Sequence, residues 1–249
     1  MNLYETDQLL SEYLLFHYGK DEEVLPHEFG PKSALNFPMR CVSELLPLSK
    51  RDKFKSAVDI GCAVGRSSFE LARYCDKVVG IDYSAKFIEA AKKIQQHGRL
   101  PFSYIEEGKR MHHSNAVAPE DIDRSRVSFE VGDALCIPEE LNGADLVLAG
   151  NLICRLPAPA QFLLRLSTLL QSGGIFILAS PYTWLEAFTP LKNWLGSKDA
   201  HDISAFQAIQ QILAPHFELL GMRELPFLIR EHSRKYQWSI SHGSVWRRK

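Results

Sequence analysis

Three aspartates sit at the ends of three short apolar runs: Asp59 in AVDIG, Asp82 in KVVGID and Asp133 in VSFEVGD. An ionised carboxylate offers two oxygens with several acceptor positions, so it can bind vicinal hydroxyls or an amino group. The same residue at a strand end can equally cap a turn or a helix. Beyond Asp59 the chain passes through Gly61, Cys62, Ala63 and Gly65 and enters a helical stretch near Ser67. Glycines there allow a tight turn and let the backbone lie against a ligand where a Cβ would intrude. The dinucleotide fingerprint G-x-G-x-x-G does not fit, because Ala63 and Val64 stand where two of its glycines are expected.

These residues need a frame that brings them together. From Ser56 onward, short apolar runs alternate with helical stretches: AVDIG, KVVGID, VSFEVGD, ADLVLAGN and GGIFILAS, with helices through Tyr74, from about Ser84, and over QFLLRLSTLLQ. Such alternation predicts an α/β fold with a mostly parallel sheet and right-handed crossovers. HFELLGMRELPFLIRE and YQWSISHGSVWRR then add an antiparallel hairpin at one sheet edge. LLSEYLLFHYG and SALNFPMRCVSELL read as helices of an N-terminal cap over 1–50, ahead of a core over 51–249. The polar stretch 101–126 reads as a surface insertion or a flap near the site. In an open α/β sheet the ligand lies at the carboxyl ends of the strands, which puts Gly61, Asp82, Asp133, Asn151 and SPYTW on one rim.

Composition narrows the ligand. The net charge of −1 gives no field for a nucleic-acid backbone or an anionic membrane, and a nucleic-acid reading rests only on the basic tail VWRRK. No apolar run approaches the roughly 18 residues of a membrane span. The five cysteines are scattered without a C-x-x-C pair, and the paired histidines His112 and His113 are adjacent, a poor metal geometry. A soluble, cytoplasmic protein with a small-molecule ligand and no metal is the expectation.

The turn after Asp59 resembles the D-x-G-x-G-x-G motif of class I S-adenosylmethionine-dependent methyltransferases, with Ala63 in place of the middle glycine. The resemblance implies a Rossmann-like, seven-stranded sheet with S-adenosylmethionine as cofactor. Asp59, Gly61, Cys62 and Gly65 would form the turn against it, Asp82 with Tyr83 would take the ribose, and Asp133 with Ala134 the adenine. Asn151 or Arg40 would meet its methionine end. AGNLICRLP lacks the N/D-P-P-Y/F motif of DNA amino-methyltransferases, which disfavours base methylation.

YETDQLLSEYLLFHYG, ALNFPMR, GDAL, NLICRLP, SPYTWLEAFTP, NWLG and RKYQWSI…VWRR together resemble the 4-mercaptohistidine N1-methyltransferase family of ovothiol biosynthesis, over nearly the whole chain. Ser197 departs from that pattern, in which a second glycine follows NWLG. The resemblance implies methyl transfer to an imidazole nitrogen of a thiol-bearing amino acid, and a functional link to a 5-histidylcysteine sulfoxide synthase. On this reading Tyr182 and Trp184 are walls of the substrate pocket and, with Asn151, the catalytic candidates. Arg155 or Arg40 would clamp a carboxylate and Glu186 an ammonium, while Tyr4, His17 and Tyr18 would close the pocket. Rival readings are a methyltransferase for another small thiol or imidazole metabolite, a non-catalytic cofactor-binding partner of the synthase, and a nucleic-acid enzyme.

Overall fold

The computed structural model describes residues 5–196 and 203–249. Seven strands form one sheet: β1 (Phe54–Ile60), β2 (Cys75–Asp82), β5 (Val127–Val131), β6 (Ala144–Gly150), β7 (Leu170–Ser180), β8 (Phe217–His232) and β9 (Lys235–Arg248). Their order is β5-β2-β1-β6-β7-β9-β8; the first five run parallel and β9 is antiparallel to both β7 and β8. This is the architecture expected from the alternating runs. β1 and β6 sit near the centre with layers on both faces, which is why their sequences are mainly apolar and why Val58, Ile60, Leu146 and Val147 are buried.

Helices α4 (Arg66–Leu71), α5 (Ala85–His97), α6 (Pro159–Leu169) and α7 (Ala205–Leu213) carry the connections. Three of these starts have a local cause in the sequence. Ser84 accepts from the Phe87 N–H, Pro159 stands where its missing N–H is no loss, and Ser204 with Gln207 closes a reciprocal capping box. The N-terminal segment forms α1 (Asp7–Tyr18), α2 (Asp21–Val24) and α3 (Phe37–Ser43). Leu14, Phe37, Val42 and Leu45 belong to the same apolar cluster as Ala57, Leu146 and Ile175 of the sheet, so this segment packs onto the core instead of forming one of its own.

The stretch expected as an insertion or flap is a second, two-stranded antiparallel sheet, β3 (Arg99–Glu107) and β4 (Arg110–Val117). Tyr104 packs with Leu15, Val24, Leu35 and Leu228. Arg230, 3 % exposed, reaches Glu106 at 2.5 Å. The hairpin thus wedges the N-terminal helices against β8, and none of its residues reaches the strand-end cavity described below.

The turn between β1 and α4 is the sharpest constraint in the core. Gly61, Ala63 and Gly65 all take positive φ, at 74°, 47° and 87°. A Cβ on Gly65 would lie 2.4 Å from the Phe129 ring, so both conformation and space exclude one. Gly65→Ala should lose about 2–4 kcal/mol in denaturant unfolding, from left-handed strain plus overpacking. Ala63→Gly, which relieves strain but loosens the unfolded chain, should change stability by less than about 1 kcal/mol. Equal effects of the two would contradict this account of the turn.

Candidate active site

The carboxyl ends of β1, β2, β5 and β6 open into a cavity of about 440 Å³, roofed by α1 and α3. Asp82 ties its floor together. One carboxylate oxygen accepts from the Ala63 N–H at 2.9 Å and the other from the Ser84 N–H at 2.9 Å. Each oxygen keeps acceptor capacity for a ligand hydroxyl. Burial raises the carboxyl above its usual range, and the backbone donors oppose that rise. Gly61 and Cys62 both donate to the Ile81 carbonyl, which sets the turn beside the end of β2. Asp133, held by the Leu135 N–H at 2.8 Å, stands next along the rim after β5, with Ala134 and the exposed Tyr83 nearby.

Asp59 plays another part. It is 1 % exposed and accepts from Ser67 Oγ at 2.7 Å and Ser68 Oγ at 2.6 Å, so it fastens α4 to β1 at the back of the cavity. Burial is the leading cause that pushes its carboxyl up to about 6. Asn151 lines the cavity in a left-handed conformation, with Oδ1 accepting from Ser241 Oγ at 2.6 Å. This orients the amide and leaves its NH₂ without a bond to any described residue.

Arg155 also lines the cavity. Its Nη1 donates to the Thr183 carbonyl at 2.7 Å and the Cys154 carbonyl at 3.1 Å, and the guanidinium lies 5.1 Å from the centre of the Phe188 ring. Nε and Nη2 make no bond to a described residue, which leaves two donors of a planar fork for a carboxylate. His17 enters from α1 among Tyr13 and Phe16. Its Nδ1 is buried without a hydrogen-bond partner in the described residues.

The sequence is 29 % identical, over 57 % of the chain, to the "Probable S-adenosylmethionine-dependent methyltransferase CRG1" of Saccharomyces cerevisiae; the match covers 40 % of that relative's length. In fold, the N-methyltransferase NodS from Bradyrhizobium japonicum, solved with S-adenosyl-L-homocysteine, gives a TM-score of 0.52 at 14 % identity, covering 96 % of this chain and 98 % of that one. An S-adenosylmethionine-dependent methyltransferase from Methanosarcina mazei gives 0.53 at 15 %, covering 79 % and 93 %. Residues 58–178 match the family model described as a methyltransferase domain. The chain thus shares the Rossmann-like methyltransferase fold, and the match lies within its parallel sheet.

The residues present fit the cofactor of such a domain. The open acceptor positions of Asp82 suit a ribose diol, the turn at Gly61 leaves no side chain over it, and the cavity lies within the roughly 300–1,000 Å³ of small-molecule sites. No cluster of three potential metal ligands occurs among the described residues.

Several expected site residues lie outside the cavity. Tyr182 and Trp184 do not line the cavity: Tyr182 has φ 52°, which turns its side chain back onto β9, and Trp184 packs into the apolar layer behind β7. Ala187 and Phe188, later in the same stretch, line it instead. Glu186 points to solvent. Arg40 is held by Glu44 at 2.5 Å and the Pro226 carbonyl at 2.9 Å, tying α3 to β8 outside the cavity. Tyr18 donates to the Val64 carbonyl at 2.8 Å and clips α1 onto the glycine turn. Cys62 and Gly65 shape that turn without facing the cavity. Tyr4 and Ser197 fall outside the described residues. Tyr13, Phe16, Phe37, Cys41 and Ile229 were not anticipated; the i, i+3, i+4 spacing of Tyr13, Phe16 and His17 is the signal that marks one face of α1.

Burial, helped by the Arg66 charge, pushes His17 down to about 3. The folded state thus binds fewer protons than the unfolded chain between pH 6.5 and 3, and this contribution to stability is full above the upper value and lost as pH falls. In acid unfolding, the wild type should lose stability relative to His17→Gln across that window. Parallel pH profiles would show that His17 is not held neutral.

Proposed function

We propose that the protein is an S-adenosylmethionine-dependent N-methyltransferase whose acceptor is the imidazole nitrogen nearest the side chain of 4-mercaptohistidine, giving ovothiol A. The observation that carries this reading is the junction at Arg155. RLP and SPYTW, two of the three most specific stretches of the resemblance, meet in space where Arg155, a residue of the cavity lining, bonds the Thr183 carbonyl and lies against the Phe188 ring. An amino-acid carboxylate is the natural partner of such a fork. Nitrogen as the acceptor atom also agrees with the chemistry named for the NodS structure.

When bound, S-adenosylmethionine supplies an electrophilic methyl group on a sulfonium that leaves as a neutral thioether. The chain's task is alignment, because in-line displacement needs acceptor and methyl carbon about 3 Å apart. Asp82 and Asp133 hold the nucleoside end. Arg155 anchors the substrate carboxylate, and so decides which of the two ring nitrogens faces the methyl group. Phe16, Phe37 and Phe188 flank a flat ring and exclude water, which strengthens every charge interaction inside. A neutral imidazole already carries its lone pair, so no strong base is needed.

The test incubates the protein with S-adenosylmethionine and either 4-mercaptohistidine or histidine and locates the methyl group by NMR. Methylation of 4-mercaptohistidine on the ring nitrogen nearest the side chain is expected, with Arg155→Ala raising KM about ten- to a hundredfold, as for loss of a charged hydrogen bond. Methylation on sulfur, or none on the thiol compound, would refute the substrate assignment.

A further inference from the structure

The carbonyl that orients Arg155 belongs to a stretch with no regular structure. Residues 181–185 leave β7 with Thr183 exposed, yet the Thr183 carbonyl sits 2.7 Å from Arg155 Nη1. Two short local bonds bend this stretch: the Tyr182 N–H donates to Ser180 Oγ at 3.1 Å and the Trp184 N–H to the Tyr182 carbonyl at 2.9 Å. One long-range bond fixes it to the sheet. Tyr182 Oη lies 2.9 Å from His242 Nδ1, sixty residues away on β9. His242 pairs with Ser180 in the β7–β9 register and presents its ring edge to Phe206 of α7, with centroids 4.5 Å apart. Burial lowers the imidazole's affinity for a second proton and raises that of the phenol, so the pair is neutral and shares one hydrogen bond whose direction follows the imidazole tautomer.

Tyr182 makes this bond from a left-handed backbone conformation, which a residue with a large side chain holds only where its surroundings over-determine it. A strand exit that merely needed a turn would be served by glycine. The tyrosine side chain is what the turn is bent to deliver, and its hydroxyl is the part that reaches β9.

We propose that the Tyr182–His242 hydrogen bond is a positioning device for Arg155: it locks the Thr183 carbonyl and thereby holds the guanidinium fork in the orientation that receives the substrate carboxylate. Tyr182 and His242 are positioning residues, acting through Thr183 and Arg155 without touching substrate. The neighbouring Ser241 bonds Asn151 directly, so two adjacent residues of β9 support the acceptor side of the cavity. The last step, from guanidinium to carboxylate, rests on the substrate reading above; the lock on Arg155 does not.

Two measurements on full-length Tyr182→Phe separate these parts. The ¹⁵N relaxation of Arg155 Nε–H, assigned with Arg155→Lys, reads the lock in substrate-free protein. Its order parameter should fall in Tyr182→Phe and in His242→Phe, and unchanged values would overturn the proposal. Kinetics read the consequence. Tyr182→Phe should raise KM for 4-mercaptohistidine about three- to tenfold, the worth of one neutral hydrogen bond, with kcat changing less. KM for the analogue lacking the carboxylate should stay within about twofold, and in an Arg155→Ala background the substitution should have no further effect. An equal rise for both substrates, or additive effects with Arg155→Ala, would overturn the proposal in favour of a general structural tie. A wild type that does not methylate 4-mercaptohistidine while the relaxation effect persists would refute the substrate reading alone.

Discussion

The Asp82 carboxylate joins the two strand ends on which the whole cavity rests. By accepting from the Ala63 and Ser84 N–H groups at once, it pins the glycine turn after β1 to the start of α5 after β2. A charged acceptor is required, since two backbone donors converge on it in a partly buried place and either would otherwise lack a partner. With Gly61, Ala63 and Gly65 forced into left-handed conformations, that carboxylate is what makes the turn a fixed shelf instead of a loop. Asp59 does the matching work behind it through Ser67 and Ser68. One acid thus faces the ligand while a second, fully buried, holds the scaffold.

On the opposite side the C-terminal hairpin sets the acceptor end. β9 runs antiparallel to β7, so its residues Ser241 and His242 arrive beside Asn151 and the exit of β7. Antiparallel addition to a parallel sheet brings a strand's early residues to the carboxyl-end rim, where no parallel strand could place them. The hairpin therefore completes the edge of the sheet and supplies hydrogen-bond partners to the site.

All seven sheet strands were legible, because the parallel strands read as short, mainly apolar runs alternating with helical stretches and the hairpin strands as long segments with a polar turn between them. Asp82 and Asp133 were legible for the same reason: position at a strand end follows from the strand. What escaped were features set by backbone dihedrals and long-range contacts. Nothing in SPYTW reveals that Tyr182 takes φ 52°, and with an extended residue there its ring would have pointed elsewhere. Arg40 and Arg155 read alike as free forks, yet one is spent on Glu44 and Pro226 and the other faces the cavity. The β3–β4 hairpin read as a loop because most of its side chains are polar and only Tyr104 and Ala116 are buried; the Gly108 turn was its one local mark. Helix α7 had a usable signal, the Ser204–Gln207 capping pattern, that its short length obscured.

The account turns on Asp82 as the residue that makes the rim a cofactor site. Calorimetric titration of S-adenosylhomocysteine into wild type and Asp82→Ala tests it most directly, with thermal unfolding run alongside to show that the variant is folded. The account predicts affinity weaker by about ten- to a hundredfold, the loss expected when a charged acceptor of ligand hydrogen bonds is removed. Unchanged affinity in a folded variant would contradict it.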